Sequence, residues 1–145
     1  MKLYEIVESA PGYIIVEDGT LIVVRVIIGF IEEVGETPTG PNFRIAHRVF
    51  LYADAPKELK DQMASKPFPT GDFLKDKEIW KIVKIKGKKA AYEECLYEAS
   101  DGRKYRIRLE IEPAIVARTL HYRDVRNNPI YNVRWSIKQS VSLID

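Results

Sequence analysis

Hydrophobic and polar residues alternate with a period of two over most of the chain, which predicts β-strands rather than helices. The alternation is cleanest where Tyr105, Ile107, Leu109 and Ile111 share one face and Lys104, Arg106, Arg108, Glu110 and Glu112 the other. Phe43–Ala53 repeats it, with Phe43, Ile45, His47, Val49 and Leu51 opposite Arg44, Arg48 and Tyr52. Leu21–Ile31 is apolar almost throughout, interrupted by Arg25, and reads as a strand buried on both faces. Its eleven residues fall short of the roughly 20 that cross a bilayer. Leu3–Val7, Tyr13–Val16, Ile79–Ile85, Ala91–Ala99, Ile115–Tyr122 and Ile130–Ile144 complete the expected strands.

Turn formers punctuate these runs at Ala10-Pro11-Gly12, Glu17-Asp18-Gly19-Thr20, Gly35 to Asn42 and Ser100-Asp101-Gly102-Arg103. A two-residue Asp101-Gly102 loop would pair Leu96 with Ile107 and Cys95 with Arg108. That register sets Tyr97 opposite Arg106 on the outward face. Pro113 is expected to end the strand that follows. Ile130–Ile144 exceeds an ordinary strand, so it must bend, bulge or project onto a partner. Gln139, polar at an inward position, marks the expected break.

One segment reads as helix. Pro56 suits a first helical position, Leu59 and Met63 stand four apart, and the run stops near Lys66-Pro67. Lys57, Lys60 and Asp61 form its exposed face. The expected fold is therefore mainly β: an antiparallel barrel or two-layer sandwich with one short amphipathic helix, residues 1–145 forming a single domain. A small α+β fold is the alternative, with the helix packed across an open sheet.

Composition reinforces the β reading, with 29 Ile and Val against 9 Leu. Six Asn and Gln beside 44 charged residues resemble the bias of proteins that work at high temperature. One cysteine excludes an internal disulfide, and one Cys with two His leaves no zinc set. No phosphate loop, dinucleotide-binding glycine pattern, zinc helix or serine elbow occurs, so no cofactor or metal is expected. Glu5 and Glu8 interrupt the amino-terminal stretch where a secretory signal needs an apolar core. A cytoplasmic location without membrane contact is the expectation.

Charge changes the picture. Residues 1–78 carry nine basic and thirteen acidic side chains, residues 79–145 fourteen and eight. Lys104, Arg106, Arg108, Arg118, Arg134 and Lys138 fall on expected outward positions, with Tyr97 among them. Cations around an aromatic ring on a sheet face neutralise phosphates and stack bases, so a non-enzymatic nucleic-acid-binding module is the first functional expectation. The competing account is a solvated face whose Lys and Arg guard the sheet, with Glu93 and Glu110 as partners. A second expectation is an assembly subunit that pairs through its long last strand with a protein partner or with its own copies as a homo-oligomer. A third is a small-molecule-binding barrel or enzyme using His47 or His121, both at inward positions. Cys95 alternates with apolar neighbours and reads as an inert strand residue. The pairs Glu17-Asp18, Glu32-Glu33 and Glu93-Glu94 point to opposite faces of their strands and do not converge on a metal or a sugar.

Overall fold

The computed structural model describes residues 3–144; Met1, Lys2 and Asp145 lie outside them. Its strands are β1 (Tyr4–Ala10), β2 (Gly12–Val16), β3 (Leu21–Thr37), β4 (Gly40–Asp54), β5 (Lys81–Val83), β6 (Ile85–Lys89), β7 (Ala91–Glu98), β8 (Lys104–Arg123) and β9 (Pro129–Ile144). A short helix, α1 (Lys57–Met63), and two 3-10 turns at Phe73–Lys75 and Lys77–Ile79 lie between β4 and β5. One sheet runs β1-β7-β8, with β9 on the other edge of β8 and β5 farther along it; the other runs β4-β3-β2-β6. All pairings are antiparallel. The mainly-β expectation holds in its sandwich form, since the sheets do not close into a barrel.

What joins the two sheets is a bent ribbon. Ala10 pairs with Tyr92 in the first sheet and Tyr13 with Lys89 in the second, so β1-β2 and β6-β7 are each one strand that changes sheet. Pro11 breaks the first strand, and Gly12 lies against the second. A Cβ on Gly12 would run into the Lys89 carbonyl oxygen and the Ala91 nitrogen. Only glycine permits so close a crossing.

The core forms between the inner faces. Ile14, Val16, Ile22, Val24, Val26 and Ile28 of the second sheet, all at most 3% exposed, meet Cys95, Tyr97, Tyr105, Ile107, Leu109 and Ile111 of the first. Phe43 packs edge-on against both Tyr97 and Tyr105, with ring centroids 5.5 and 5.4 Å apart. Outside this layer, α1 tucks Met63 at 2% exposure beneath it and touches β8. Pro56 occupies the N-cap, one place before the expected position. The helix is too small and too peripheral for the α+β alternative.

Four expectations need correction. The hairpin between β7 and β8 has a three-residue loop: Ala99 N donates to Arg103 O, and Gly102 takes φ +80°. Cys95 therefore pairs with Ile107, Leu96 with Arg106 and Tyr97 with Tyr105. Every side chain of β7 faces opposite to the two-residue register, which buries Tyr97 and turns Glu93 inward. Second, β3 buries only one face; Leu21 and Ile27 are 38% and 44% exposed on the other. Third, β8 continues through Pro113, because β7 ends its pairing at Ile111 and β5 begins at Val116. In that gap a residue without an N–H costs no ladder bond on the β7 side. Fourth, Gln139 does not break β9: it stays in register opposite Leu109 and donates to Phe43 O at 3.1 Å. The irregularities fall on β8, at Pro113/Ile115 and Thr119/Arg123.

Candidate functional site

The outer face of the first sheet holds part of the expected basic patch. Arg106 donates to Glu94 at 2.9 Å, Arg108 lies 3.8 Å from the same carboxylate, and the Arg108 guanidinium stacks 3.6 Å from the centre of the Tyr92 ring. The aromatic residue beside these arginines is thus Tyr92, whose hydroxyl donates to Glu8 at 2.5 Å, and not Tyr97. Lys104 is exposed on the same strand; Lys138 and Arg134 are exposed on β9, opposite Glu110 and Ile115. Tyr97 lies in the core and donates to Glu33 at 2.8 Å. Burial, with Glu33 beside it, pushes its phenol up to about 12.

Arg118 also departs from expectation. Its side chain is 15% exposed and donates to Asp18 at 2.8 Å, a hundred residues away in the chain. Tyr131 donates to the same Asp18 oxygen at 2.7 Å, and Thr20 N donates to the other at 2.8 Å. Thr20 and Tyr131 share a 2.7 Å hydroxyl contact. Burial alone would raise the Asp18 carboxyl; hydrogen bonds from Thr20, Arg118 and Tyr131 more than offset it and hold it below its ordinary value. This buried knot ties the β2-β3 turn to β8 and β9. It is a structural clamp.

The two histidines stand apart in role. The His47 ring lies 3.3 Å from the Ile45 carbonyl on β4, half-buried on the inner side. His121 is exposed, contrary to its expected inward position, because the slip between Thr119 and Arg123 breaks the alternation of β8 there. Cys95 is fully buried, and burial followed by Glu93 and Glu94 pushes its thiol up to about 11. Such a thiol is not a nucleophile at neutral pH. Glu93 and Glu94 point to opposite faces: Glu93 accepts from Ile28 N at 2.9 Å and from Ser9 at 3.2 Å inside, while Glu94 serves the arginines outside. Among the described residues no group of three His, Cys, Asp or Glu side chains is placed to hold a metal ion, and no helix is long and apolar enough to cross a membrane.

A different face carries the denser constellation. On the outer side of the β4-β3-β2-β6 sheet one ladder row reads Lys89, Tyr13, Val23, Tyr52, and the next toward the turns Gly87, Ile15, Leu21, Asp54. In the other direction Arg25 lies opposite Phe50 and Ile27 opposite Arg48. Tyr52 is 53% exposed, Tyr13 38% and Phe50 36%. Arg25, Ile27, Phe50 and Tyr52 enclose a shallow hollow of about 200 Å³. Asp54, the one carboxylate in these rows, is held by Lys60 at 2.6 Å. The reading of Leu21–Ile31 as doubly buried concealed this face. Arg25 was its signal: a charge at an odd position marks Leu21, Val23 and Ile27 as outward too.

A larger cleft, about 750 Å³, opens between the β3-β4 turn and the end of β9, lined by Pro41, Phe43, Tyr105, Gln139, Val141 and Leu143. Neither histidine lines it or the hollow beside Arg25. Protein-family models, curated proteins and solved structures compared with this chain gave no match.

Proposed function

We propose that this protein is a non-enzymatic module that binds single-stranded nucleic acid on the outer face of its β4-β3-β2-β6 sheet. The observation that carries the reading is the placement of Tyr13, Phe50 and Tyr52 beside Arg25, Arg48 and Lys89 on one exposed surface. Phe50 and Tyr52 project from alternate positions of one strand, about 7 Å apart, a spacing that successive unstacked bases can span. The cations lie at the margins of the aromatic rows, where a phosphate backbone would run. Asp54 is already neutralised by Lys60 and adds little repulsion.

The β8-β9 face is the weaker candidate for the same partner. Arg106 and Arg108 share Glu94, and Arg108 already covers the Tyr92 ring. Tyr97 and Arg118 are committed to the interior.

The test is a fluorescence-anisotropy titration of labelled single-stranded DNA, single-stranded RNA and duplex DNA across a salt series. Three phosphate contacts from Arg25, Arg48 and Lys89 predict a log–log salt slope of about −2 on single strands. Arg25→Ala should weaken binding of every sequence alike and reduce that slope by about 0.7. Absence of binding at low salt would remove the reading.

A further inference from the structure

We propose that β9 pairs antiparallel with β9 of a second copy of this chain, centred on Gln139, to form a two-fold dimer whose first sheet runs through both subunits. Among the described residues β9 is hydrogen-bonded to β8 alone, which leaves its other edge open. From Trp135 to Ile144 it matches Pro113 to Lys104 one for one, without a bulge or proline of its own. Strand edges that stay monomeric are broken by such features or by several charges. Here the stretch after Arg134 holds one charge, Lys138.

The second argument is burial. The first half of β9 faces the core, with Val133 8% exposed and Trp135 packed against it. Ile137, Val141 and Leu143 continue the same inward side but are 51%, 45% and 52% exposed, the last two lining the large cleft. The opposite sheet covers them only in part. Exposed apolar residues on the core side of an open edge strand are the features that strand addition satisfies, through main-chain bonds and side-chain burial together.

The occupant follows from the sequence of the strand itself. With Gln139 facing its own copy, Ile137 meets Val141, Trp135 meets Leu143, Lys138 meets Ser140 and Ser136 meets Ser142. Apolar residues meet apolar ones, and no like charges stand opposite. Centring one residue earlier sets Lys138 against itself, which antiparallel pairing disfavours. A strand that reads equally well against its own reverse fits the self-complementary interface of a two-fold dimer. This inference does not depend on nucleic-acid binding.

Sedimentation velocity over a concentration series decides it, on the full chain and without nucleic acid. The wild type should be dimeric at about 100 μM, and Val141→Lys should raise the dissociation constant at least tenfold while melting with the wild type at concentrations low enough that both are monomeric. Gln139→Lys, which opposes two lysines at the centre, should do the same and serves if Val141→Lys fails to fold. Gln139→Cys should form a disulfide-linked dimer under mild oxidation while Lys138→Cys does not; Cys95 is buried and stays silent. A wild type that is monomeric throughout, a dimer that survives both lysine variants, or equal cross-linking at 138 and 139 would overturn the proposal.

Discussion

Asp18→Ala lowers the unfolding free energy by about 3–5 kcal/mol, the cost of leaving a buried guanidinium without its counter-charge. The Asp18 and Arg118 side chains are 11% and 15% exposed, so water screens the pair poorly. Removing the carboxylate also strands Thr20 N and leaves the Tyr131 hydroxyl only its contact with the Thr20 hydroxyl. Asp18→Asn keeps the shape and some of these bonds while abolishing the charge, and should fall between alanine and wild type. The pH dependence follows from the depressed carboxyl. The native state holds Asp18 ionised at a pH where the unfolded chain has begun to bind a proton. Its stabilising contribution is complete above the unfolded value of about 3.9 and is lost as pH falls through the lower native value. Urea denaturation from pH 7 to pH 3 should therefore show a steeper acid loss in wild type than in Asp18→Asn. A decrease below 1 kcal/mol for the alanine variant, with parallel acid limbs, would contradict the clamp.

Gly12→Ala should cost about 3 kcal/mol, at the upper end of what overpacking does in a closed interior. The new methyl would meet Lys89 and Ala91 backbone atoms, which cannot rotate away as a side-chain tip can. The ribbon would have to open at the point where both strands change sheet. Gly87→Ala is the control, on the strand partnering β2, where a Cβ meets Ile15 Cδ1 at 4.0 Å. It should shift stability by less than about 0.5 kcal/mol. Thermal melts of the two variants separate a packing effect at the bend from the general effect of removing a glycine. Equal shifts would mean that the crossing is not tight.

The strands were legible because alternation is a local property, and the faces were legible only where register was. Asp101-Gly102 suits both a two-residue turn and a three-residue loop ending in a left-handed glycine. The chain adopts the second, at Gly102. That one residue moved Tyr97 into the core, turned Glu93 inward and left Tyr92 under Arg108. Pro11 and Gly12 announced a bend, but nothing nearby in the sequence says that Ala90 bends opposite it. The Asp18–Arg118 pair joins residues a hundred positions apart, beyond any local pattern. Alternation placed Tyr52 outward on its strand; only the pairing of β2, β3 and β4 gathers it with Tyr13 and Phe50 beside Arg25.

The central claim is that the second sheet, and not the first, meets nucleic acid. Two double variants in one anisotropy assay test it most directly. Phe50→Ala with Tyr52→Ala should weaken single-strand binding by a factor of about ten or more, since each stacked base contributes about 1–3 kcal/mol. Arg106→Ala with Arg108→Ala, on the opposite face, should change it by less than about threefold, a margin for loss of long-range attraction. The reverse ranking, with the arginine pair abolishing binding and the aromatic pair leaving it intact, would contradict the account.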